Sequence, residues 1–285
     1  MRVSDLSIGV RSTVSAESFR DGAARLVMRQ PIPHSVLATT LDHAIETPRA
    51  YAGARWYWAT RGDRNWLALA MHTPPRPFHL ATADPFLARQ FAFRLHRQDV
   101  ELDAVSGVVK GALAFAETWT DLRGHGSITV DKREGMHDLP GMPEKPKGVR
   151  GHLRPAHDDD LELLNHWAVG YAREQREPTP GPDPMRRWLA KGGLYVWEAD
   201  GEPATMTYAS RPHGGVSRLS WVYTPDSLRG NGFASACVAG VSAIQRHAGR
   251  RCLLYTDLDN TPSTKLYQRI GYRRLADSAV LRMVP

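Results

Sequence analysis

Cysteine is nearly absent: Cys237 and Cys252 are the two in 285 residues. That excludes a disulfide framework and a multi-cysteine zinc site, and it suits a reducing compartment. No apolar run approaches the roughly 18 residues that cross a bilayer, and the opening residues lack the apolar core of roughly 7–15 residues that a secretory leader needs. The expectation is a cytoplasmic protein with no membrane partner. Concentrated charge is missing as well. The formal net charge is +7, yet Arg11, Arg55, Arg89, Arg123, Arg186 and Arg250 fall in six different segments. Such scatter makes a solvated surface rather than the basic stripe that tracks nucleic acid, so no nucleic-acid partner is expected. Hydrophobic residues make up 42% and charged residues 24%, proportions that suit more than one globular core and exclude long disorder.

A chain of this length fits two domains of roughly 140 residues each. Residues 133–149, REGMHDLPGMPEKPKGV, hold three prolines and three glycines, which break helix and strand and read as a connector. The boundary is placed near residue 148, giving domains 1–148 and 149–285. In the first, IPHSVLATTLDHAI reads as helix, and ARWYWAT and NWLALAMHT read as strands. DPFLARQFAFRLHRQ reads as a helix capped by Asp84 with Pro85 at its first position. VVKGALAFAETWTDL is a further helix and HGSITVDK a strand. Trp56 and Trp58 alternate along one strand, a pattern that is core by default although it could stack bases.

In the second half, VRGHLRP is a strand and DDDLELLNHWAVGYAREQ an amphipathic helix whose acidic start suits the positive end of the helix dipole. DPMRRWLAKG is a second helix. Three strands follow in a meander, turning at Asp200-Gly201 and at Gly214-Gly215. A helix with Phe233, Cys237, Val241, Ile244 and Ala248 on one stripe comes next, which makes Cys237 a core residue. RRCLLYTDL, TPSTKLYQRIG and YRRLADSAVLRMV read as strand, helix and extended segments. The fold class is α/β with a mixed sheet. His157 and His166 flank aspartates at a helix start and do not read as metal ligands. No metal is expected.

YTPDSLRGNGFASA, residues 223–236, joins the meander to the helix. The first amides of a helix have no internal partners, and the macrodipole adds about half a positive charge there. Glycines at 230 and 232 let the main chain approach phosphate oxygens, and Arg229 can add charge. A diphosphate fits. A P-loop needs Gly-Lys-Ser/Thr, whereas Phe233, Ala234 and Ser235 follow Gly232. A dinucleotide fingerprint needs three spaced glycines in a parallel βαβ unit, whereas an antiparallel meander leads in here.

Arg229, Gly232 and Ala234 match Arg/Gln-x-x-Gly-x-Gly/Ala, the acetyl-CoA turn of the GNAT acetyltransferases. In DLDNTPSTKLYQRIGY, Asn260 and Tyr267 stand seven apart before Gly271-Tyr272, as in that family's second motif. The chain resembles most a two-domain group of these enzymes, and residues 217–273 carry nearly all of the likeness. The resemblance implies tandem GNAT-like domains: a degenerate first one, with VSGVVKGALAFAETW where a working turn would be, and a second one holding acetyl-CoA as cosubstrate.

It implies further that Trp221, Val222, Tyr223 and Thr224 hold the pantetheine arm along a splayed strand, with the Val222 amide as oxyanion donor. Arg229, Gly230, Asn231, Gly232, Phe233 and Ala234 would hold the pyrophosphate, and Tyr267 would be the general acid. Asn260 either contacts pantetheine or caps its helix. The base is open among Asp257, Glu198, His213, Tyr208 and a water chain, because SRLSWVYT has no carboxylate. Asp257 is carried as the catalytic candidate. Thr264 stands where the group has a second Asn, which leaves that contact unassigned. The implied activity is acetyl transfer to a primary amine of a small molecule, by direct attack on the thioester, in a monomer or homodimer. The alternatives are a protein lysine or N-terminal acetyltransferase and a non-catalytic acyl-CoA-binding or regulatory module.

Overall fold

A computed structural model describes residues 8–62, 65–175 and 184–284. The described chain forms two compact units: residues 1–136, 257–259 and 276–285 make the first, and residues 137–256 and 260–275 the second.

In chain order the elements of the first unit are β1 (Ile8–Thr13), α1 (Ala16–Arg29), α2 (Ser35–Glu46), β2 (Arg55–Arg61), β3 (Asn65–His72), β4 (Phe78–Leu80), α3 (Pro85–Arg97), β5 (Ala104–Val108), α4 (Val109–Arg123) and β6 (Ser127–Leu139), whose end enters the second unit. The second runs β7 (His152–Pro155), α5 (Leu161–Gln175), α6 (Pro184–Ala190), β8 (Leu194–Ala199), β9 (Glu202–Ala209), β10 (Val216–Tyr223), α7 (Phe233–His247), β11 (Arg251–Asp257), α8 (Thr261–Arg269) and β12 (Arg273–Val284). The order β-α-α-β-β-β-α-β-α-β thus occurs twice. In each copy the meander's last strand pairs in parallel with the strand after the crossover helix, β4 with β5 and β10 with β11. The C-terminal part of β12 pairs antiparallel with β5, from Ser278↔Val108 to Arg282↔Ala104, and completes the first unit's sheet.

Local chemistry accounts for these elements. Ser15 caps α1 by accepting the Ser18 amide, and Phe19, Ala23, Leu26 and Val27 bury one face of that helix. Asp84 and Pro85 start α3 as their types predict. The β8–β9 hairpin turns on Asp200 at φ 54 and Gly201 at φ 84, the left-handed pair that matches strand twist. Trp56 is fully buried, and Trp58 stacks on Trp66 with centroids 4.4 Å apart, so this tryptophan set is core. Phe78, Phe91 and Phe115 fill the other face of the first unit.

Four expectations change. β1 and α1 lie in a stretch with no predicted element. The proposed connector is half strand: residues 133–139 belong to β6, where Met136 and Leu139 are buried and Asp138 pairs with Arg251. On α7, Phe233, Cys237 and Val241 of the expected stripe are buried together with Ala236, Val238 and Ala239, whereas Ile244, at 43%, and Ala248 are exposed. The closing extended segments form a single strand, β12.

Candidate active site

The site grows from a local fault in β10. Its parallel ladder with β11 runs over Val216↔Arg251, Ser217↔Cys252 and Arg218↔Leu253. Toward β9, the pairing passes from Ser220↔Tyr208 to Tyr223↔Met206, one residue too many on β10, with Trp221 in the left-handed region at φ 55. This is a β-bulge, and a tryptophan with positive φ is a strained placement of a kind that clusters at functional sites. Trp221 and Val222 therefore leave the regular ladder. The Trp221 ring lies 4.6 Å from Tyr171 and 4.9 Å from Trp188, which in turn stacks on Tyr208 at 4.6 Å.

Beyond Tyr223 a short 3-10 turn, Asp226–Leu228, leads to Gly230 at φ 83 and to Gly232 at φ 79, where α7 begins without a side-chain cap. Among the described residues the amides from Gly230 to Ser235 take no intramolecular acceptor. Asn231 turns its amide group back to the carbonyls of Leu228 and Arg229, and Ser235 donates to the Gly232 carbonyl, so neither side chain fills the corner. Phe233 is buried in a cluster with Trp197, Ala236 and Cys237 and anchors the helix start. Free amides at the positive end of a 15-residue helix can cradle an anion.

Arg229 is not directed at that cradle. Its Nε donates to the Thr224 carbonyl at 2.9 Å, Nη2 to both Glu174 oxygens at 2.8 Å, and Nη1 pairs with Asp226 at 2.6 Å. Its Cζ lies 5.9 Å from the centre of the Tyr223 ring. The Thr224 hydroxyl bonds to that of Thr205. Burial, followed by the Glu174 charge, raises the Tyr223 pKa.

The start of α3, the matching crossover helix in the first unit, is built differently. Asp84 Oδ1 accepts the amides of Phe86 at 2.8 Å and Leu87 at 3.4 Å, so a carboxylate already occupies that helix end. This strand-turn-helix, rather than residues 105–119, is the counterpart of the β10–α7 turn. The three-residue β4 hid it.

Tyr267 is buried on α8 among Leu139, Leu219, Val238 and Tyr272. Its ring meets Tyr272 edge-on at 6.1 Å, and burial pushes its hydroxyl up to about 12. Asn260 caps α8, its Oδ1 accepting the Ser263 amide at 3.0 Å. Asp257 belongs to the first unit, where its Oδ1 accepts the Asp259 amide at 2.9 Å. Glu198 is held by Arg154, whose other nitrogens bind Asp160 at 2.7 and 2.9 Å. His213 bridges to Val216, five residues before Trp221 on β10 and so about 16 Å along the strand from the bulge. Cys237 is fully buried and pushed up to about 12 by desolvation, which makes its thiol inert. His157 begins the turn before α5, its amide bound by Asp160 at 2.7 Å. Among the described residues no helix is long and apolar enough to cross a membrane.

The model of the FR47-like protein family matches residues 201–281. The chain is 29% identical over 153 residues to the mycothiol acetyltransferase of Rhodococcus erythropolis, covering 48% of this chain and 51% of that protein. It is 31% identical over 143 residues to that of Pseudarthrobacter chlorophenolicus, covering 45% and 44%. The chain thus spans about half the length of the curated relatives it matches. An acetyltransferase from the GNAT family from Colwellia psychrerythraea superposes with a TM-score of 0.62 at 11% identity, covering 98% of this chain and 100% of that one. A GCN5-related N-acetyltransferase from Sphaerobacter thermophilus superposes at 0.54 with 15% identity and covers 98% of both. The twice-repeated element order and these near full-length likenesses show a tandem GNAT-like fold, and the segment that the FR47-like family model matches lies in its second copy.

Proposed function

We propose that the protein is an acetyl-CoA-dependent N-acetyltransferase that acetylates a primary amine of a small molecule, with its working site in the second unit. The observation that carries this reading is the bulged β10 followed by free amides from Gly230 to Ser235. Bound acetyl-CoA would supply an activated acyl group, so no enzyme nucleophile is needed, in keeping with the inert Cys237. The bulge leaves the Trp221 and Val222 backbone outside the ladder, where an N–H can donate to a carbonyl oxygen as it gains negative charge. The amides of Gly230, Asn231, Gly232, Phe233 and Ala234 hold the diphosphate, and the extended backbone of Tyr223 and Thr224 lines the arm. Mycothiol acetyltransferases as relatives support a small-molecule acceptor over a protein one.

Tyr267 takes a narrower role than full proton transfer. Burial pushes its hydroxyl up to about 12, so the phenol stays protonated at neutral pH. Its hydroxyl instead holds its proton and donates a hydrogen bond to the departing sulfur. Glu198 is committed to Arg154 and Tyr208 is stacked on Trp188, which leaves Asp257 or a water chain to take the proton of the acceptor amine.

Incubating the protein with acetyl-CoA and a broad panel of small amines, and following CoA release with a thiol reagent, tests this function. Turnover with at least one amine is expected. The commitment of Glu198 also favours a second reading, a non-catalytic acyl-CoA-binding module. That reading takes over if CoA raises thermal stability and no amine is acetylated.

A further inference from the structure

Two guanidiniums stand at the start of α7, and they are not equally available. Arg229 is offset by Glu174 and Asp226 and tied to the Thr224 carbonyl. Arg150 reaches the same helix end by another route. Its Cζ lies 5.9 Å from the centre of the Phe233 ring, and Phe233 is the first residue of α7. Its ion-pair partner is Asp200 at 3.1 Å, with the two side chains 64% and 66% exposed. Solvent screens such a pair, and it holds its members weakly.

The backbone under Arg150 is fixed. Its carbonyl accepts the Trp197 indole N–H at 2.8 Å. Val149 packs with Phe233 and Leu228, and its Cγ2 would lie 3.0 Å from a Cβ added at Gly232. Arg150 is therefore anchored at its root against the turn and exposed at its tip.

We propose that Arg150 binds the 3′-phosphate on the adenosine end of coenzyme A, so that this turn tells coenzyme A from its 3′-dephospho form. The proposal rests on the reading of the turn as an acetyl-CoA site. A diphosphate seated on the amides from Gly230 to Ser235 uses the donors of the turn. The ribose beyond it carries one more phosphate, a dianion a few bonds away and within the reach of an arginine side chain. Arg229 is neutralised twice over and cannot meet it without giving up both carboxylates. Arg150 has one exposed carboxylate to release, and its planar fork gives two parallel N–H···O bonds to a phosphate.

Titration calorimetry of the full chain with CoA and with 3′-dephospho-CoA tests the assignment. The unsubstituted protein should bind CoA roughly tenfold more tightly, the scale of one charge-assisted two-point contact. Arg150→Ala should bind both ligands at the dephospho affinity, and Asp200→Asn, which frees the guanidinium, should widen the preference. Arg150 is exposed, so melting curves of both variants should match the parent. An equal loss for both ligands in Arg150→Ala would put the guanidinium on the diphosphate. An unchanged preference would remove it from the site. Either result overturns the proposal and leaves the acetyl-CoA reading standing, whereas a parent protein that binds neither ligand at millimolar concentration removes both.

Discussion

Glu174, near the end of α5, holds Arg229 of the phosphate turn through one guanidinium nitrogen that lies 2.8 Å from both carboxylate oxygens. The motif arginine therefore shapes the turn more than it charges it. Arg229→Ala should weaken CoA binding about tenfold or less, while Gly232→Val should abolish it. At φ 79 a β-branched residue is strained, and its Cβ would meet Val149 at 3.0 Å. Calorimetry on both variants compares the effects, and a larger loss in Arg229→Ala would reverse this ranking.

Tyr267→Phe keeps the ring that packs against Tyr272 and removes only the hydroxyl. Turnover should fall about 10- to 100-fold, with the affinity for acetyl-CoA unchanged. The parent's rate should not fall between pH 7 and 9, because a hydroxyl at about 12 stays protonated throughout. Steady-state kinetics paired with calorimetry read both quantities, and an unchanged turnover would remove Tyr267 from the chemistry.

The second unit is the more legible half because its signals are local. Glycine at 230, 232 and 271 and proline at 262 mark turns and helix starts that depend on a few neighbouring residues. What the sequence hides is long-range. Nothing in Trp221 announces a left-handed residue, which belongs to the bulge that shifts the register of β10 against β9. The hold of Glu174 on Arg229 spans 55 positions, and that of Arg251 on Asp138 spans 113. The latter explains why a stretch rich in glycine and proline begins as a buried strand. In the first unit, β4 is too short to show alternation.

Asp84→Ala uncovers the amides of Phe86 and Leu87 and should cost about 1 kcal/mol of stability. It should leave the CoA stoichiometry at one per chain. Urea unfolding measures the first effect and calorimetry the second. A parent chain that binds two equivalents would show that α3 also accepts the coenzyme.

His34 is 1% exposed, its Nδ1 lies 2.7 Å from the Gln30 carbonyl, and its Nε2 has no partner among the described residues. Burial holds its pKa below 6.5, with the Gln30 contact pulling the other way. A folded-state pKa below the unfolded value gives stability that is present above about pH 6.5 and is lost as the pH falls through the folded value. Between pH 7.5 and 5 the parent should therefore lose more stability than His34→Leu. Parallel slopes in urea titrations at the two pH values would show that another group controls the acid side.

The most direct test is calorimetry of CoA against the unsubstituted chain and against Gly232→Val, each checked for folding by circular dichroism. One coenzyme per chain bound by the parent and none by the folded variant is the predicted pair of results. No heat from the parent at millimolar CoA, or undiminished binding by Gly232→Val, would contradict the assignment of the turn.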